Sequence, residues 1–178
     1  MKVLKDDLEK PKYSFLARFL HWCFVIIFAY GIYKQVDDIN QLDDISFFRT
    51  EIIFASVFLL FLIFRFFYMT KTQKTSLPDN TPKPQKLAAK IVHFSMYVSL
   101  VGIAVSGLLI GYFFSLGFRD EFLMDIILGV HEFFVSIIYW LISVHIIAAI
   151  YHRLKNDGVW SSMVPIWKER SINRKNSQ

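Results

Sequence analysis

Residues 122–151 read FLMDIILGVHEFFVSIIYWLISVHIIAAIY, and the reading of this run decides the fold. A bilayer core of about 30 Å asks for roughly 20 apolar residues of helix. The run exceeds that length, and only Asp125, His131, Glu132, His145 and the Gly129 backbone interrupt it. Three more blocks of the same kind precede it, over residues 15–33, 52–68 and 91–114. None alternates apolar with polar, as the strands of a membrane barrel would. Helices remain, because hydrocarbon offers unpaired backbone groups no partner. The expected fold is all-α, an integral membrane four-helix bundle.

Composition excludes other classes. The 178 residues are 54% apolar and 20% charged, against about 45–50% and about 25% in a soluble domain. Because the excess is gathered in blocks, no nucleic-acid partner is expected, despite a net charge of +5 and 19 phenylalanines. Disorder is excluded too, since it requires low hydrophobicity. The single cysteine, Cys23, has no partner for a disulfide within the chain.

Charge orients the bundle. Lys2, Lys5, Lys10, Lys12 and Arg18 make the N-terminal segment basic. Arg65, Lys71, Lys74, Lys83, Lys86 and Lys90 do the same for the second connection, and six further Lys and Arg residues follow in the tail from Arg153. The first connection is acidic (Asp37, Asp38, Asp43, Asp44), as is the third (Asp120, Glu121, Asp125). The positive-inside rule therefore predicts both termini in the cytoplasm. Three regions follow: a cytoplasmic segment 1–12, a transmembrane domain 13–152 and a basic cytoplasmic tail 153–178. A cleaved signal peptide does not suit the first block, which is long and followed by Lys34-Gln35 rather than small residues. Arg65 is expected to snorkel to the headgroups. Residues 71–86, with Pro78, Pro82 and Pro84, read as an extended loop. Trp160 and Trp167 among basic residues suit an interfacial segment.

All five histidines, His21, His93, His131, His145 and His152, lie in or beside apolar blocks. An ionisable side chain there is costly and marks function by default. With the orientation above, His21, His93 and His145 lie toward the cytoplasmic leaflet, His152 at its surface, and His131 alone in the outer half. His131 and His145 are 14 residues apart, about 21 Å along a helix and on nearly one face. That suits two redox groups stacked across one membrane. Zinc would ask for more Cys or carboxylate ligands. Haem fits better, held between helices by axial histidines. No C-x-x-C-H run occurs, so the haem expected is a non-covalent b type.

His21-Trp22, Arg65, His93, His131-Glu132, His145 and His152, with Lys12-Tyr13-Ser14 and Pro82-Lys83-Pro84, resemble the bacterial cytochrome b561 family. The resemblance covers residues 13–165 and implies a small four-helix cytochrome of the bacterial inner membrane, related to the cytochrome subunit of nickel–iron hydrogenases. It further implies membrane lipid, a quinone such as ubiquinone and a periplasmic electron donor as partners. Members that pass electrons from superoxide to ubiquinone are similar. Carried over, it makes His21 and His145 the axial pair of the cytoplasmic-side haem iron, and His93 and His152 the quinone site. His131 matches one ligand of an outer haem. The position of its partner falls on Glu51, and no histidine occurs between Trp22 and Val92. Three outcomes stay open: Glu51 ligates the iron, the iron is five-coordinate on His131, or the site binds no haem. One low-spin haem is the expectation.

Two classes of function follow. The first is haem-dependent single-electron transfer between an outer donor and a membrane quinone. The acidic outer connections do not steer an anion such as superoxide favourably and suit a basic protein donor. The second is a membrane anchor or interaction subunit that has lost part of its haem chain. A transporter relaying protons through histidines lacks the internal repeat such folds show.

Overall fold

The computed structural model describes residues 13–36, 39–73, 75–118 and 121–169. The segment 1–12, Asp37, Asp38, Lys74, Arg119, Asp120 and the tail from Arg170 lie outside the described residues. The elements are α1 (Phe15–Tyr33), a short 3-10 helix (Ile39–Asp43), α2 (Ile45–Thr72), α3 (Lys83–Ser115), α4 (Glu121–Lys155) and α5 (Val159–Met163). No strand occurs among the described residues. The first four α-helices are each long and apolar enough to cross a membrane, as expected. At 1.5 Å per residue α1 is about 28 Å long, while α4 reaches about 52 Å and extends past the hydrocarbon.

Local chemistry sets the helix ends. Ser14 caps α1, its hydroxyl accepting from the Ala17 N–H at 3.1 Å. Asp44 caps α2, one carboxylate oxygen accepting from the Ser46 hydroxyl at 2.7 Å and from the Ser46 and Phe47 N–H groups. Those bonds, the Ser46 hydroxyl first, hold the Asp44 carboxyl below its ordinary range. The cap is therefore complete above that range and is lost only as pH falls through the depressed value. The loop expected over 71–86 is shorter than that. α2 continues to Thr72 and α3 starts at Lys83, because Pro84 falls in the first turn, where a missing N–H costs nothing.

Helix packing is antiparallel and nearly in register. α3 packs most extensively on α4, then α2 on α3 and α1 on α2. Along α3, His93 stands against His145, Gly102 against Phe134 and Gly107 against His131. The 14-residue step from His93 to Gly107 thus matches the step from His145 to His131. Between these two levels lies an apolar layer of Phe24, Phe58, Leu62, Leu100, Ala104 and Ile138. Ile138 is only 1% exposed, midway between the two α4 histidines. A second cluster, Leu42, Ile110, Met124 and Ile127, closes the end near the first and third connections. Large apolar side chains such as Leu60, Trp140 and Ile147 face outward. Lipid is as apolar as they are, so helix association rests on close packing at small residues rather than on burial.

Gly102 and Gly129 test this packing from opposite sides. A Cβ at Gly102 would lie 2.5–2.6 Å from three atoms of the Phe134 ring, whereas one at Gly129 meets nothing within 4 Å. Overpacking costs about 1–3 kcal/mol, more than the roughly 0.5–1 kcal/mol a helix gains from Gly→Ala. Gly102→Ala is expected to destabilise the bundle by about 1 kcal/mol and Gly129→Ala to stabilise it by about 0.5 kcal/mol. Thermal unfolding in one detergent reads both; a Gly102→Ala variant as stable as the parent contradicts the α3–α4 contact.

Candidate functional site

Four elements converge at the level of His145. Arg65 on α2 places one guanidinium nitrogen 3.1 Å from His21 Nδ1 on α1 and donates from the other to the Tyr97 hydroxyl on α3 at 2.6 Å. Its charge also lies 5.5 Å from the ring centroids of Phe24 and Tyr97. The expectation of a snorkelling Arg65 is thereby corrected. Inward, the guanidinium finds an acceptor nitrogen, a hydroxyl and two aromatic faces, which together replace the headgroups. His93 packs edge-on against His145, with ring centroids 5.1 Å apart. His21 meets Arg65, and His93 meets His145, so all four helices contribute a side chain at this level.

Hydrogen bonds fix which ring nitrogen carries the proton. His93 Nδ1 faces the Ala89 carbonyl at 2.7 Å. A carbonyl only accepts, so His93 donates from Nδ1 and keeps its Nε2 lone pair free. At His21 the assignment reverses: guanidinium only donates, so Nδ1 accepts and Nε2 carries the hydrogen. No hydrogen bond engages the His145 ring among the described residues.

The second level is built around His131. Its Nδ1 lies 2.9 Å from the Ser106 hydroxyl. That hydroxyl donates its one hydrogen to the Gly102 carbonyl at 2.6 Å, so toward His131 it accepts. His131 therefore donates from Nδ1 and presents a bare Nε2, the arrangement found behind most metal-ligating histidines. Gly107 faces this ring: a Cβ there would sit 3.5 Å from His131 Cε1, an ordinary van der Waals contact. Glu51 is occupied differently. It forms an ion pair with Lys34, whose ammonium also lies 5.6 Å from the centroids of Phe47 and Phe54. Its neighbour Ile52 meets α3 at Gly111, four residues beyond Gly107. Glu51 thus stands about one helical turn, roughly 6 Å, farther out than His131.

His93 and His152 are not in contact in the structure. His152, buried at the α4–α5 corner, donates from Nδ1 to Asp157 Oδ2 at 2.7 Å. Lys155 approaches the same oxygen at 3.7 Å. Trp22, next to His21, donates to the Met163 carbonyl at 3.2 Å and ties α1 to the end of α5.

Among the described residues no three His, Cys, Asp or Glu side chains are arranged to hold a bare metal ion. Haem iron asks for less, since the macrocycle supplies four donors and the protein one or two. Residues 12–165 match the family described as prokaryotic cytochrome b561. The chain belongs to that family. No curated protein and no solved structure is matched. The prokaryotic cytochromes b561 are membrane proteins of b-type haem electron transfer, and the donor chemistry here suits that group. His131 presents a bare Nε2, His145 has no competing hydrogen bond among the described residues, and His21 presents an Nε2 that carries its hydrogen while Nδ1 accepts from Arg65.

Tyr97, Ser106 and Asp157 are the functional contacts that sequence reasoning missed. Tyr97 lies one turn after His93 on α3, a usable signal. Ser106 and Asp157 carried none beyond polarity near an apolar block. Ser106→Ala is expected to cost about 1 kcal/mol and to release the His131 tautomer. Nitrogen NMR of labelled histidine in the haem-free protein checks this, and a His131 ring already mixed between tautomers in the parent contradicts the assignment.

Proposed function

We propose that this cytochrome b561 moves single electrons between an outer-side donor and a membrane quinone, with both termini cytoplasmic in a bacterial inner membrane. The observation that supports it best is the pair of histidine levels on α4, about 21 Å apart, separated by the dry layer around Ile138. Bound b-type haem supplies reversible one-electron chemistry at its iron. His21 and His145 hold the group on the cytoplasmic side, from α1 and α4. Arg65, kept in place by Tyr97, offsets negative charge arriving at that level. On the outer side His131 is the one protein ligand, because Glu51 is held by Lys34.

The quinone role belongs to His93 in this reading. Its ring is exposed, its Nδ1 is fixed on Ala89, and its free Nε2 accepts a proton from a quinol hydroxyl. Once protonated, the same nitrogen donates to a quinone oxygen. His152, held by Asp157, stands nearer the water and exchanges protons there. The acidic first and third connections favour a basic protein as the donor over superoxide. One observation favours the anchor-subunit reading instead, the engagement of Glu51 by Lys34, which removes a second outer ligand.

His21→Ala and His145→Ala are each expected to abolish the low-spin haem spectrum of the purified protein. A normal spectrum in both rejects the axial pair. His93→Gln is expected to keep that spectrum while lowering quinone-linked turnover at least about 100-fold, the usual worth of a positioned acid–base group. Unchanged turnover places the quinone elsewhere.

A further inference from the structure

The α4–α5 corner carries a half-open, basic cavity that electron transfer does not use. It measures about 320 Å³ and is lined by Arg153, Leu154, Asn156, Lys168 and Glu169. The Arg153 guanidinium lies between two indoles, 5.4 Å from the Trp160 ring centroid and 5.8 Å from that of Trp167. Its Nε is buried without a hydrogen-bond partner. Among the described residues no carboxylate pairs with Arg153 or Lys168. The neighbouring acids are engaged elsewhere. Asp157 binds His152 and Lys155, and the two Glu169 oxygens accept from the Gly158 and Ser161 N–H groups at 3.2 and 3.1 Å.

α5 and the segment after it bring both indoles onto Arg153. Trp160 donates from its indole to the Ile166 carbonyl at 3.2 Å, folding the segment back over α4. Trp167 then takes a left-handed backbone, φ 50°, which is uncommon for a bulky residue. That conformation sets its indole over Arg153. Two cations and one carboxylate leave the lining with a net single positive charge.

We propose that this cavity binds the phosphodiester of an anionic phospholipid. A planar guanidinium pairs with two oxygens of one phosphate, and the terminal nitrogens of Arg153, free of any carboxylate among the described residues, supply those donors. The single net positive charge matches a singly charged phosphodiester. A free phosphate dianion exceeds it, and a zwitterionic headgroup carries its own ammonium into a basic site. Depth selects the lipid as well. The apolar run of α4 ends at Tyr151, two residues before Arg153, and amphipathic indoles favour the headgroup level.

The test uses the full-length haem-loaded protein in detergent, with phosphatidylglycerol or phosphatidylcholine added and the retained lipid read by native mass spectrometry. The parent is expected to retain phosphatidylglycerol at least about 5-fold better, the worth of one basic residue at an anionic surface. Lys168→Gln and Arg153→Gln are each expected to lower that retention about 5-fold with the haem spectrum unchanged. Lys168 is exposed, so its variant decides the matter even where Arg153→Gln fails to fold. Equal retention of the two lipids overturns the proposal, as does unchanged retention in the Lys168 variant. Displacement of phosphatidylglycerol by millimolar inorganic phosphate overturns it too, by assigning the cavity to a free anion.

Discussion

A neutral imidazole carries one N–H donor and one bare nitrogen, and hydrocarbon satisfies neither. The arrangement of this bundle follows from how each ring meets that demand. His131 gives its hydrogen to Ser106 and His93 gives its own to Ala89, so each turns a bare Nε2 to its surroundings. His21 is held the opposite way by Arg65. His152, at the wet end of α4, takes Asp157. The rings in the membrane are therefore sorted into His93 and His131, with a bare Nε2, and His21, whose Nδ1 accepts from Arg65. Arg65 joins that ring to Tyr97, so one guanidinium links α1, α2 and α3.

Register between α3 and α4 sets these local bonds at two depths of the bundle. Because the helices run antiparallel in near-register, one 14-residue step separates two functional levels on both. The space between is filled by Phe24, Phe58, Leu62, Leu100, Ala104 and Ile138, with no ionisable side chain among them. Such a layer offers protons and water no polar foothold between the two levels. The charges sit at the two ends: Lys34 with Glu51 at one, Arg65 and the α4–α5 corner toward the other.

The spans were legible because the bilayer demands length and low polarity, and residues 122–151 answer both without any contact being known. The histidines were legible for the same reason in reverse, as groups whose cost needs a return. Partners were not. Arg65 read as a snorkelling end residue because a sequence does not show that Tyr97 and His21 wait on neighbouring helices. Pro82 and Pro84 read as loop because the same prolines break a helix interior and suit a helix start. Glu51 read as a candidate ligand by count alone; only packing brings Lys34 to it across the first connection. The tautomer of His131 depends on a single serine whose hydrogen is committed to a backbone carbonyl, a three-body fact beyond any pattern.

The account rests on one fully ligated haem at the His21–His145 level and an outer level with His131 alone. Haem-to-protein stoichiometry of the purified, unmodified protein, read together with the spin state by electron paramagnetic resonance, addresses this most directly. One low-spin haem per chain is the predicted result, with any second haem high-spin. Two low-spin haems per chain, or a protein that holds none, would contradict it.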